Sequence, residues 1–361
     1  MNQFQRIVCP DDWHCHLREG KMLTFMVESL LRQGFRGRVL VMPNTKNPIL
    51  TARDAAEYHG QILVEIDKSL SSYRFQPVMT IQITPTTSAR TIREAFAQGI
   101  KIGKVYPRLV TTNSELGVAN YRDIYPVLAE AEKLGFIVCF HGEHPSKDIE
   151  GLDKEMRFLE IASQIRRDFP GLKMTLEHIS TAQAVAWVKK QPVDLVFATI
   201  TPQHLLYVLD DVLGYNPEEG FSPHADIHLI CKPTLKRLID RLALQNVVLR
   251  GDPHFGYGSD CAIHTLKAKC DGACGVLNVF ASIPLWLGWL ATKGLSHQQL
   301  QDFMSGFGAD FYGYPRLKET IRVKTDEAGW DMPRSIVVPG LDEVVVPLGA
   351  GRHFMHEVVG G

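Results

Sequence analysis

The chain has 361 residues, 45% of them hydrophobic and 22% charged, enough apolar material for a large core in one big domain or two smaller ones. Its 39 lysines and arginines offset 40 aspartates and glutamates, a net charge of −1, so no broad field is available to hold nucleic acid or an anionic membrane surface, and an anionic small molecule must be met by local groups. Met1 to Arg6 lacks the apolar core of a signal peptide, no apolar run approaches the roughly 20 residues of a membrane span, and the seven cysteines are scattered and odd in number; a soluble cytoplasmic enzyme with reduced thiols is expected.

From Gln5 to Asp260, short β-rich runs alternate with amphipathic helical stretches, the pattern of βα units around a parallel sheet. The first run, through Ile7-Val8-Cys9 and Asp11-Asp12, ends at His14 within Trp13-His14-Cys15-His16-Leu17-Arg18. In an extended backbone His14 and His16 point the same way and can share one metal ion. A helix with Met22, Met26 and Leu30 on one face stops at Gly34, and the second strand, Val39–Met42, ends at Pro43-Asn44. Thr51 is a candidate N-cap for a helix through Ala55, Ala56, Ile62 and Ile66, after which Val78 to Thr84 alternates as a third strand. A helix over Ser88 to Gln98 closes at Gly99, and the fourth strand, Ile100–Tyr106, carries Lys104. The loop Pro107 to Gly117, with its polar core Thr111-Thr112-Asn113-Ser114, has the length of a lid.

A helix from Tyr121 to Leu134 leads to the fifth strand, Phe136–Phe140, followed directly by His141. A helix around Met156 to Ile165 precedes the sixth, Met174–Glu177, and His178 comes next. The seventh, Leu195–Ile200, runs into Thr201-Pro202-Gln203-His204. The eighth is either Val247–Leu249 or Phe255–Tyr257, and Asp260 just beyond the second favours it. Helices over Phe280 to Leu290 and Gln298 to Met304 follow; from Pro315 the composition changes, and Ser335–Val338 and Val344–Val346 read as short outer strands. The expected architecture is a TIM-like (β/α)8 barrel over residues 1–314, with a small strand-containing extension, 315–361, packed on it.

In such a barrel the active site forms at the C-terminal ends of the strands, where the βα loops converge. Those ends carry His14 and His16, Asn44, Lys104, His141, His178 and Asp260. Four imidazoles and a carboxylate make a metal-ligand set that exceeds the three protein ligands usual for one catalytic zinc, so two ions are the economical reading. Two neighbouring cations need an anionic bridge. Lys104 at the mouth would favour its neutral amine beside metal ions, and such an amine can add carbon dioxide to become a bidentate carbamate; a plain salt-bridged lysine is the alternative.

These residues resemble the short, stand-alone dihydroorotases of the metal-dependent amidohydrolase superfamily, over nearly the whole chain. The carriers are Asp11 to Arg18, Val41-Met42-Pro43-Asn44, Lys104-Val105-Tyr106-Pro107, Thr111 to Ser114, His141-Gly142-Glu143, Glu177 to Thr181, Ala198 to Leu205 and Gly258 to His264. The resemblance implies two zinc ions bridged by carboxylated Lys104, one held also by His14, His16 and Asp260, the other by His141 and His178. It further implies that Arg18, Asn44 and His264 bind the substrate carboxylate, that the backbone at Lys232 and Cys274 meets the pyrimidine ring edge, and that Thr111 and Thr112 sit on a loop closing over the substrate. The implied reaction is reversible hydrolysis of (S)-dihydroorotate to N-carbamoyl-L-aspartate in pyrimidine biosynthesis, by a hydroxide held between the ions with Asp260 as base and then acid; a homodimer is implied as well.

The chain departs from the family pattern at Cys15, usually Leu; Cys261, usually Ser; Ile263, usually Pro; and Lys232, usually Leu, where a charge near the mouth bears on substrate preference. A hydantoinase or dihydropyrimidinase would share the metal ligands without needing the carboxylate grip of Arg18, Asn44 and His264, and an inactive homologue would be expected to lose ligands. His144 is expected to face solvent, His204 to shape its loop, His254 to sit on a turn with Asp252, and Cys270 and Cys274 lack the further partners of a structural zinc.

Overall fold

The computed structural model describes residues 3–216, 220–221 and 225–359; Met1 and Asn2 of the N-terminal segment and the last two residues of the expected extension lie outside them. The chain starts with β1 (Gln3–Val8), then runs through β2 (Asp12–His16), β3 (Arg38–Val41), β4 (Gln76–Met79), β5 (Ile81–Ile83), β6 (Ile102–Val105), β7 (Ile137–His141), β8 (Met174–Glu177) and β9 (Val196–Ile200). A small hairpin of β10 (Tyr215–Asn216) and β11 (Gly220–Phe221) precedes β12 (Phe255–Tyr257) and β13 (Cys261–Ala262).

From β2 to β13, leaving out the hairpin, every pairing is parallel, in two runs ordered β13-β2-β3-β4 and β5-β6-β7-β8-β9-β12. The runs are joined by the chain itself, through Thr80 between β4 and β5 and through residues 258–260 between β12 and β13. The result is a (β/α)8 barrel whose third and eighth strands are each broken once. Thr80 marks the first break, its hydroxyl donating to the Val41 carbonyl at 2.5 Å. The eighth strand is Phe255–Tyr257, while Val247–Leu249 ends the helix Leu238–Leu249.

The first β-rich stretch of the sequence, which leads to His14, also divides, into β1 and β2. Pro10 cannot donate to a ladder, and Asp11 next to it turns its carboxylate onto Arg38, taking the backbone N–H and Nη1 at 2.8 Å each. As a result β1 leaves the barrel and pairs antiparallel with β14 (Thr320–Asp331), with Ile7 opposite Ile321. Beyond it lie β15 (Ile336–Val338) paired with β16 (Glu343–Val345), and β17 (His353–Val359), which closes the outer sheet on β14. The N-terminal strand thus pairs across the expected boundary at residue 314.

Helices flank the barrel, and the one over Ala52–Lys68 starts as its sequence dictates: the Thr51 hydroxyl accepts from Asp54 N at 3.2 Å and the Asp54 carboxylate accepts from Thr51 N at 2.9 Å. Within the barrel, Trp13, Leu40, Ile102, Ile137 and Phe197 form a cluster closed by Phe311 and Tyr312 of the helix Phe307–Tyr312. Trp13 stacks on Tyr312 with centroids 4.4 Å apart. That plug fills one end and leaves the strands' C-terminal end for polar groups. Among the described residues no helix is long and apolar enough to cross a membrane.

Candidate metal centre and substrate cavity

A register irregularity in β2 between Asp12 and Cys15 sets the site. Trp13 packs in the inner cluster and Cys15 in the outer one, while His14 and His16 reach the mouth. Lys104 comes from β6, His141 is the last residue of β7, His178 follows β8, and Asp260 lies in the break between β12 and β13. Arg18, His178 and Asp260 have φ of 62°, 41° and 45°, a backbone region costly for side-chain-bearing residues that clusters at functional sites.

Five of the expected ligands line one cavity. Its wall holds His14, His16, His141, His178 and Asp260 together with Arg18, Asn44, Thr111, Thr112, Lys232 and Cys274. Asp260 Oδ1 lies 3.4 Å from His14 Nε2 and 3.2 Å from His16 Nε2, so these three residues present one compact set of ligand atoms. His141 Nδ1 and His178 Nε2 stand 3.1 Å apart, facing each other. Lys104 is completely buried and its Nζ has no hydrogen-bond partner, nor has His14 Nε2. Buried nitrogens without partners are costly; a cation here would satisfy the lone pair of His14 Nε2 and would favour the neutral amine of Lys104 over its ammonium, so this donor set fits a metal centre.

Burial explains the charge states. It holds His14 down to about 4, helped by the Lys104 charge, and keeps His16, His141 and His178 below their ordinary range, so the imidazoles are neutral and able to ligate. Burial likewise lowers Lys104 and raises Asp260.

The carboxylate-binding candidates lie beside this cluster. Arg18 Nη2 is 3.0 Å from His264 Nε2, and Arg18 Nε donates to the Ile263 carbonyl at 3.2 Å. Burial and the Arg18 charge push His264 down to about 3. Asn44 accepts from the Tyr106 hydroxyl at 3.0 Å and donates to the Thr112 carbonyl at 3.1 Å, so the loop carrying Thr111 and Thr112 rests on it. A hollow lined by His16, Arg18, Asn44, Thr112 and His264 adjoins the cavity.

Sequence reasoning missed the groups that orient the imidazoles. Glu177, completely buried, accepts from His14 Nδ1 at 2.8 Å and from the Thr199 hydroxyl at 2.7 Å; Glu143 accepts from His141 Nε2 at 2.7 Å. Each carboxylate places the proton on one ring nitrogen and turns the other toward the cluster. The signal was present in Glu177-His178 and His141-Gly142-Glu143, but Glu177 acts on a histidine 163 residues away. The remaining histidines have local tasks. His254 lies between Asp252 Oδ1 at 2.8 Å and the Gln191 carbonyl at 3.0 Å; His204 bonds Thr201 and the Pro233 carbonyl, each at 2.8 Å; half-buried His144 accepts from Ser146 N at 3.1 Å. Cys270 is exposed and Cys274 half-buried, both as free thiols.

A (β/α)8 barrel with such a cluster at its strand ends defines the metal-dependent amidohydrolases, and the fold superposes on an L-hydantoinase (dihydropyrimidinase) from Arthrobacter aurescens with a TM-score of 0.76, 16% identity, 98% of this chain and 82% of that one covered. Identity is much higher to a dihydroorotase from Marinobacter nauticus, 38% over 350 residues and 96% of both chains. The chain belongs to the dihydroorotase family. A solved dihydroorotase from Saccharomyces cerevisiae, in complex with 5-fluoroorotic acid, matches with a TM-score of 0.86 and 26% identity over 99% of this chain and 98% of that one. No protein-family model matches.

Proposed function

We propose that this chain catalyses the reversible hydrolysis of (S)-dihydroorotate to N-carbamoyl-L-aspartate in de novo pyrimidine biosynthesis, in the cytoplasm and as a homodimer, with residues 1–314 as the catalytic unit and 315–361 as its outer extension. The observation that carries the reading is the adjacency of the buried His/Asp cluster to Arg18, Asn44 and His264 around one mouth. A ligand that must place a ring amide at the first and a carboxylate at the second is a carboxylated cyclic amide. The yeast relative's ligand, a pyrimidine bearing a carboxylate, supports this.

The cofactor in this reading would be a pair of zinc ions, which His14, His16 and Asp260, His141 and His178, and N6-carboxylated Lys104 would hold. The buried, unpartnered Nζ of Lys104, its pKa lowered by burial, favours the free amine that adds carbon dioxide. When bound, the ions acidify the attacking water and polarise the scissile carbonyl. Asp260 takes the water's proton on its carboxylate and delivers it to the departing ring nitrogen; in the synthetic direction it takes the proton from the ureido nitrogen. Arg18 offers the substrate carboxylate a planar fork beside Asn44 and His264. The backbone at Lys232 and Cys274 meets the ring edge, and the loop bearing Thr111 and Thr112 shields the mouth from water.

Zinc-loaded protein should open dihydroorotate, and Asp260→Ala should retain less than about a thousandth of that turnover. An Asp260→Ala protein with the wild-type rate would remove the residue from its assigned role.

A further inference from the structure

One wall of the cavity is lined by Lys232 and by Cys274-Gly275, and a single buried cation ties these two stretches of chain together. Lys269, only 5% exposed on the short helix Leu266–Cys270, donates from Nζ to the Ile230 carbonyl at 2.9 Å and to the Gly275 carbonyl at 2.8 Å. The same Ile230 carbonyl accepts from Gly275 N at 2.9 Å. These partners are neutral dipoles, and burying an ammonium against them is expensive, as the lowered pKa of Lys269 reflects. A methionine would fill the space without that cost.

What the cation secures is the position of the wall. Gly275 lies so close to the neighbouring strand that a Cβ on it would come within 2.5 Å of the Ala262 carbonyl and 2.9 Å of His264 Cδ2. One residue earlier, the Cys274 carbonyl lies 3.1 Å from His264 Nε2, the nitrogen that also faces Arg18, and the tautomer decides which of the two it serves. Displacing Gly275 would therefore move both the ring-edge backbone and the imidazole beside the carboxylate grip.

We propose that Lys269 is a positioning residue for the substrate: it fixes the spacing between the backbone at Lys232 and at Cys274, and through Cys274 the seat of His264. The inference rests on the dihydroorotate reading and concerns binding rather than the chemical step. Loss of the clamp should weaken ground state and transition state alike, raising KM and leaving kcat in place.

The test is Lys269→Met in the zinc-loaded full chain, with kcat, KM for dihydroorotate, metal content and thermal midpoint measured together. The expected result is KM raised about tenfold or more, with kcat within about threefold and metal content unchanged. A folded Lys269→Met with wild-type KM overturns the proposal, as does one in which kcat alone falls; a lowered thermal midpoint with KM intact assigns Lys269 to stability only. Should the methionine variant not fold, Lys269→Gln, one atom shorter with an amide donor, carries the test with the same outcomes. A wild-type protein inactive on dihydroorotate overturns the functional reading and this inference with it, whereas an active wild type beside an unaffected variant overturns this inference alone.

Discussion

Glu177 shows how much of the site rests on single side chains that hold other side chains. Burial alone would raise its carboxyl, yet the groups around it, with hydrogen bonds from His14 and the Thr199 hydroxyl among them, hold it below its ordinary range, so it stands ionised behind the imidazole. Glu177→Gln keeps an acceptor but loses the charge that strengthens the His14 bond. Zinc affinity, read by competition titration, should fall about 10- to 100-fold; unchanged affinity would contradict the role given to Glu177. Glu155 makes a different case. Buried on the helix Lys154–Asp168, it accepts from Ser180 N at 2.8 Å, and burial raises its pKa from 4.5 to about 7. Because the folded-state value lies above the unfolded one, the folded protein binds the extra proton between them. The contribution is complete below pH about 4.5 and lost as pH rises through about 7. Glu155→Gln has no such dependence. Denaturant unfolding at pH 5 and pH 8 should show the wild type losing up to about 3 kcal/mol relative to the variant over that interval, and a constant difference would count against a buried, proton-binding Glu155.

At the scale of elements, much was legible because a barrel strand ends where its hydrophobic run ends. His141 follows its apolar run directly and closes β7, and His178 comes just after Glu177, the last residue of β8. The Thr51 cap was legible for the same local reason, since both halves of its box lie within three residues. The breaks were not. An outer antiparallel strand and a barrel strand share the same alternation, so the run through Val8 gave no sign that β1 pairs with β14, more than 300 residues on, as in Gln5 with Val323. The outer strands β14 and β17, half-exposed and mixed in composition, escaped notice for a similar reason. Nor could sequence show that the helix Phe307–Tyr312 plugs the barrel, because that depends on tertiary closeness. A Cβ added to Gly308 would lie 2.0 Å from Trp13 Nε1 and 2.3 Å from Cδ1. Gly308→Ala should therefore cost about 1–3 kcal/mol in denaturant unfolding as Trp13 is forced aside. A neutral effect would mean that the plug is looser than this packing implies.

For the molecule as a whole, a net charge of −1 supplies no long-range attraction for an anionic substrate, and recognition falls to the few cationic and polar groups at one mouth. The same fold is found in an L-hydantoinase, so the central claim turns on Arg18, Asn44 and His264. The most direct measurement is kcat/KM of the zinc-loaded protein for dihydroorotate beside dihydrouracil, the same ring without the carboxylate. The account predicts turnover of dihydroorotate and a value for dihydrouracil lower by at least about a hundredfold. Turnover of dihydrouracil with none of dihydroorotate would contradict it and assign the site to hydantoinase-like chemistry.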